Sequence, residues 1–440
     1  MLKGRAPALP PSFKKPRPSS ATLPGGQKDA TSLRPLFWTT FAPPVDRACV
    51  WDDVDISVTG VGEVVRKAEE RLVALFPYNQ RKEVAAVPKE NLKPATATAA
   101  PSSLILNGKR LMKVLDDKKT QNLAIALRKF PEPEAVMDAI VSVDIDKLTG
   151  DQVALLLQEF PSPDVCAEIE RVENSHTEEE DHLFEWDRPE QYLLVLACIY
   201  NCKNILTVWS FAVNQHTRSD GPQTDSTHMD GTNVKLQLTE FIAACDAVCN
   251  STALRVFLAT IREVGNRMNQ NTPRGNARGV AVESLLQFDD LRSAGAGSVT
   301  LFSVVVDVWC QKNPDNLNDL LTQLARVKKL RIPSIQEIEI EINKQLELSK
   351  RAANSLQLYY QELEDEASVQ IADKLKNLAD PVSKQIKANA ELLAKAKASW
   401  AKCISYFCIK GDSVLGKNSN EFFDHWKKVV KLVEKYCPDR

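Results

Sequence analysis

Glycine is scarce in this chain, 16 residues of 440, about half the usual ~7%. Tight hairpin turns need residues at positive φ, so a chain this poor in glycine cannot be rich in hairpins. Charge of one sign is also missing. Fifty-six basic side chains face 58 acidic ones, a net charge of −2, which argues against bulk nucleic-acid binding. No apolar run reaches the about 18 residues of a membrane span, and the N-terminus lacks a signal peptide's apolar core. A soluble, intracellular protein is expected. Ten cysteines are too few for a disulfide scaffold in a chain of this length. Cys198/Cys202 and Cys245/Cys249 are spaced for one helix face, and His176, His182, His216, His228 and His425 show no ligand spacing. Buried core thiols are expected, with no metal and no cofactor. There is no Gly-rich phosphate loop after a strand, no histidine-based triad and no obvious carboxylate pair, so an enzyme is not expected.

What is present is an ordinary globular composition, 43% apolar and 26% charged, long enough for about three structural units. Six of the 24 prolines fall in residues 1–30 (Pro7, Pro10, Pro11, Pro16, Pro18 and Pro24) with almost no apolar pattern. That composition predicts a flexible, partly polyproline tail. Next come Leu36, Phe37, Trp38, Phe41, Val50 and Trp51 among Pro35, Pro43 and Pro44. Large aromatics without a helical or strand period read as an extended arm that must bury against something. A short helix is predicted over 62–76, and residues 80–103, with the run ATATAAPSS, read as a linker.

Beyond the linker the pattern predicts helices over 108–130, 133–143, 150–160, 190–213, 237–269 and 316–328, with a surface loop at 216–233. The longest helical signal begins at Ser334, which forms a capping box with Glu337 after Pro333. Ile335, Ile338, Ile342, Leu346, Ala353, Leu356, Tyr360 and Leu363 recur at helical steps despite the strand-like IEIEI of 338–342. The helix is expected to break at Pro381 and resume to Trp400 and Phe407, a length suited to coiled-coil-like packing.

Two segments carry more than fold. In VLDDKKTQNLAIALRKF (114–130), Leu123, Ala126, Leu127 and Phe130 share one helical stripe, while Ile125 lies about 200° from Leu123 on the opposite side. Lys118, Lys119 and Asn122 flank it. Two readings stand: an apolar binding anchor with a polar rim, or burial under a neighbouring element. In TALRVFLATIREVGNRMN (252–269), Gly265 interrupts the apolar face formed by Leu254, Phe257, Leu258, Ile261 and Met268. Either another segment approaches closely there, with Asn266 and Asn269 able to bind its backbone, or the helix ends near Gly265 in a left-handed cap.

These residues, taken in order, resemble a family. LRPLFWTTF (33–41) with VWDDV (50–54) looks like the arm that opens a formin homology-2 domain. VLDDKKTQNLAIAL is close to that family's knob motif, with Thr120 in place of the usual alanine. PEQYLLVL (189–196) resembles its Ala-Glu-Gln-Phe segment, and EVGNRMNQNTPRGNARGVAVESLLQFDDLRS (263–293) is similar to its Gly-Asn-x-x-Asn region. YFCIKGD (406–412) and EFF (421–423) resemble the terminal motif.

The resemblance implies an all-α, elongated subunit in a ring-like homodimer, where each lasso encircles the partner's post. It implies a proline-rich tail over 1–30, lasso 31–79, flexible linker 80–103, knob 104–180, helical body with the post motif 181–330, coiled-coil-like helices 331–400 and C-terminal helices 401–440. It also implies an actin-assembly factor, cytoplasmic and cytoskeletal, that binds filament barbed ends, nucleates and stays attached during elongation. By match, Leu36, Phe37, Trp38 and Trp51 would enter the partner, and Gly265, Asn266 and Asn269 would line the receiving groove. Ile125, with Lys118, Lys119 and Asn122, would contact actin, as would Arg292, which stands where the family usually has a lysine. Profilin is the partner implied for the proline-rich tail. The alternative reading is a coiled-coil or helical scaffold that tethers partners without nucleating actin.

Overall fold

The computed structural model describes residues 33–57, 60–78, 110–112, 114–173, 184–213, 231–294, 299–363 and 365–437. The expectations for the tail 1–30, the linker 80–103 and most of the loop 216–233 lie outside the described residues. What is described is nearly all helix. The four strands are two or three residues long and form two-stranded patches, Thr40–Phe41 antiparallel to Gly279–Val280 and Arg110–Met112 parallel to Phe184–Trp186.

Two long helices, Ile335–Gln361 and Glu366–Tyr406, frame the body. They lie antiparallel: Tyr360 bonds Asp373 at 3.2 Å, Ser349 bonds Ser383 at 3.1 Å and Lys397 pairs with Glu339 at 2.7 Å, so the partner number rises as the first falls. Ser334 and Glu337 form the expected capping box. The first helix ends at Gln361 and the second begins at Glu366, so the break does not fall at Pro381. Asp365 caps the second helix by accepting from Ser368 N at 2.7 Å. Pro381 lies inside that helix at an exposed position and does not end it.

The helical pair spans two separate hydrophobic cores. One gathers the arm, Gly231–Asn250, Thr252–Met268, Leu301–Lys312 and Ser419–Tyr436 around Ile335, Ile338 and Trp400. The other gathers side chains from 123–173 and 184–213 around Ala352, Tyr359, Leu375 and Ile386. Leu346 packs against both.

Several boundaries differ from the periodicity. The 62–76 helix is two, Val61–Lys67 and Glu69–Leu75. The 190–213 helix is also two, Arg188–Cys198 and Cys202–Val213, bent by 99°. Asn201 makes that turn at φ 57, a left-handed conformation that Asn tolerates. Cys198 and Cys202 therefore do not share a helix face; Cys198 is exposed and Cys202 buried. The 237–269 helix breaks at Ser251, whose hydroxyl caps Leu254 N at 3.1 Å. The helix expected over 108–130 begins only at Asp117, after the strand Arg110–Met112, because Asp116 caps it through Lys119 N at 2.9 Å. Residues 231–233, expected in a loop, open a helix. Pro163–Glu173 and Leu301–Lys312 are helices that the periodicity reading passed over. Among the described residues no helix is long and apolar enough to cross a membrane.

Candidate functional site

The arm lies in a groove of the first core, and glycine makes the space. Thr252–Met268 runs unbroken through Gly265, so the left-handed cap does not occur; a side-chain carbon added there would overlap the six-membered ring of Trp38. A second glycine repeats the device: a Cβ at Gly279 would sit 2.9 Å from the Phe41 ring.

Asn269 secures the arm's backbone. Fully buried, it accepts from Leu36 N at 2.9 Å and donates to Leu36 O at 3.0 Å, giving an irregular segment the pair of bonds a strand would give. Trp38 Nε1 donates to Arg274 O at 3.1 Å, and Thr39 N to Ser284 Oγ at 3.0 Å. Asn266 has a different task. It pairs both ways with Ala277, at 2.7 and 3.1 Å, and so holds the loop that forms the groove's wall. Leu36, Trp38 and Trp51 are buried, while Phe37 stays 68% exposed under the Arg274 guanidinium. Trp51 belongs to a helix the arm was not expected to contain, Val50–Ser57, and lies beside Arg262. Tyr406 anchors that helix by donating to Asp53 at 2.5 Å. Arm and groove meet here within one chain.

The second candidate surface is the helix Asp117–Ala126. Leu123, Leu127 and Phe130 are buried, and Ile125 is 68% exposed. Of the two readings, burial under a neighbour is excluded. Lys118, Lys119 and Asn122 are exposed around it. Asp116, whose carboxyl Lys119 N holds below the usual range, begins the helix. A shallow cavity of about 240 Å³ lined by Ala124, Leu127, Arg128, Arg188 and Pro189 lies beside it.

This helix is held from beneath at both ends by Arg188–Cys198. Buried Glu190 accepts from Thr120 Oγ1 at 3.2 Å and from the Leu115 backbone. Tyr192 donates to Pro131 O at 2.6 Å, just past Phe130. Desolvation pushes the Glu190 carboxyl up. Sequence reasoning missed this clamp, although both halves sat in segments it quoted: Thr120 is the residue that departs from the usual alanine, and its hydroxyl is what Glu190 uses. Arg292 is exposed and bridges to Thr300. It belongs to the first core's side of the molecule, whereas Ile125 belongs to the second. Among the described residues no group of three or more His, Cys, Asp or Glu converges as a metal site.

A helical body with an aromatic arm seated in a glycine-made groove, and a clamped helix presenting one apolar side chain, defines an interaction domain. The Formin Homology 2 Domain family matches residues 26–434, and the chain belongs to that family. It is similar to Formin-like protein 3 of Oryza sativa subsp. japonica, 24% identical over 382 residues, 86% of this chain and 28% of the relative. It is similar also to Formin-E of Dictyostelium discoideum, 25% identical over 365 residues, 82% and 21% respectively. Formin-like protein 16 of Arabidopsis thaliana is 24% identical over 381 residues, 86% and 46%. The chain thus spans less than half the length of these relatives.

Proposed function

We propose that the chain is an actin-assembly factor that works as a homodimer at filament barbed ends, nucleating actin and staying attached during elongation in the cytoplasmic cytoskeleton. Ile125 carries the reading. A large apolar side chain 68% exposed on a helix clamped from below, with Lys118, Lys119 and Asn122 exposed around it, supports the reading of an anchor for a partner. Lys118, Lys119 and Asn122 surround that contact, and Arg292 offers a second one to actin on the other core. In the dimer, Leu36, Phe37, Trp38 and Trp51 of one chain fill the groove of the other, lined by Gly265 and Asn269, with Asn266 bracing its wall. The intrachain contacts support this pairing, because exchanging an identical arm between two copies would keep every bond. Profilin recruitment by residues 1–30 is a separate proposal.

The test pairs a melting curve with pyrene-labelled actin assembly for Ile125→Ala. The melting temperature should hold, since surface changes usually stay within about ±0.5 kcal/mol, while nucleation and barbed-end binding collapse. Full assembly activity in the variant would overturn the reading. Adding profilin to the unaltered chain tests the tail.

A further inference from the structure

Cys310 and Cys437 bring their sulfurs to 3.1 Å from ends of the chain's fold that are 127 residues apart in sequence. Cys310 stands in the last turn of Leu301–Lys312, and Cys437 caps Ser419–Tyr436. The two helices are packed against each other, not loosely tethered: the Phe302 and Tyr436 rings lie 6.1 Å apart, and Tyr436 donates to Asp289 at 2.6 Å. Both cysteines are partly exposed. A second pair, Cys249 and Cys403, has the same 3.1 Å separation but is buried. Hydrogen bonding with neighbouring groups and burial push both of its thiols up. The thiolate is the reacting form and an oxidant must reach it, so the buried pair is inert and the pair at the edge is open.

We propose that Cys310 and Cys437 are a redox-sensitive pair that closes to a disulfide in the presence of a small-molecule disulfide oxidant such as glutathione disulfide. One cysteine thiolate attacks a sulfur of the oxidant; that S–S bond breaks and one glutathione leaves as thiolate. The second cysteine thiolate then attacks the protein sulfur of the mixed disulfide and expels the second glutathione. Two protein thiols are oxidised, one glutathione disulfide is reduced, and the two protons pass to the two departing thiolates. The sulfurs need approach by only about 1 Å to reach a normal S–S bond. The bond would fasten the end of the C-terminal helix to the core that holds the arm. The pair is independent of the actin reading.

Full-length protein is equilibrated in glutathione buffers of rising disulfide fraction, quenched with iodoacetamide, digested and mapped by mass spectrometry. The expected product is one peptide pair joined through Cys310 and Cys437 within a single chain, two hydrogens lighter than the reduced pair, with a melting temperature raised by several degrees. Cys437→Ser and Cys310→Ser should each lose both the link and the shift. Alkylation of both thiols, separate glutathionylation of each, or a link between two chains at the highest disulfide fraction would overturn the proposal.

Discussion

The indole of Trp38 occupies the volume that a side chain at position 265 would need. A mid-helix glycine costs ~1 kcal/mol relative to alanine, and here the cost is offset by an aromatic ring that packs against the helix at Gly265 and edge-on against Phe288, with centroids 5.9 Å apart. Arm and groove are thus complementary at the level of single atoms, whichever copy of the chain supplies each.

Two substitutions should break that relationship from opposite sides. Trp38→Ala removes the ring and should cost ~3–5 kcal/mol. Gly265→Ala keeps the ring but fills its seat, and should release the arm although alanine favours helix. Sedimentation at micromolar concentration together with limited proteolysis of residues 33–78 reads both. Loss of the dimer with a protease-sensitive arm is expected for each variant. A Gly265→Ala chain that stays dimeric with a protected arm would refute the fit.

The clamp beneath Ile125 makes a second expectation. Glu190→Ala leaves the Thr120 hydroxyl and the Leu115 N–H without their carboxylate and opens a cavity, so stability should fall by about 2–4 kcal/mol. Thr120→Ala, which restores the family's usual residue, should cost only about 1 kcal/mol. Denaturant unfolding checks both. Actin assembly should weaken in the Glu190 variant even where the chain remains folded, because the helix presenting Ile125 loses its fixed position.

Much of this was legible in the sequence where the signal was local. Helical geometry places Ile125 opposite the buried stripe but leaves its exposure open between two readings, and the Ser334–Glu337 cap follows from a three-residue spacing. Gly265 stood out because a missing side chain interrupts an apolar stripe, but the sequence left close approach and a helix end as alternatives that only the Trp38 contact decides. What was hidden depended on distant partners. Thr120 meets Glu190 across 70 residues, and Cys310 meets Cys437 across 127. Asn266 and Asn269 look equivalent in sequence, yet one braces a loop and the other binds the arm. Helix breaks at Ser251 and Asn201 escaped because apolar periodicity continues through them, and only the capping hydroxyl and the left-handed turn stop the helix.

Lys118 and Lys119 should act on rate more than on final affinity. Both are exposed, and the Lys119–Asp116 pair at 3.6 Å is exposed too, so it adds little to the fold. Reversing both charges to Glu should slow association with an acidic partner about tenfold at low salt, with the gap shrinking as ionic strength rises. Assembly rates with actin across a salt series measure it. A defect independent of salt would show that these lysines make close contacts instead of steering.

A buried histidine makes stability depend on pH. His425 is buried in the first core beside Trp426, with its ring bonded to the Val282 backbone. Burial lowers its pKa from 6.5 to about 4. In the unfolded chain the imidazole takes a proton as pH falls through 6.5, whereas the folded chain resists until about 4. The unfolded state therefore binds more protons across that window, and stability falls with falling pH. Above 6.5 the group contributes no slope; below about 4 the loss from this group is complete. The whole effect is roughly 3 kcal/mol, taking about 1.4 kcal/mol for each pKa unit. His425→Phe keeps the ring's bulk and neighbours but cannot titrate. Its melting temperature should decline less steeply than that of the unaltered chain between pH 6.5 and 4, with the two curves running parallel above pH 7. Equal slopes across the window would mean that the imidazole is already protonated in the folded core.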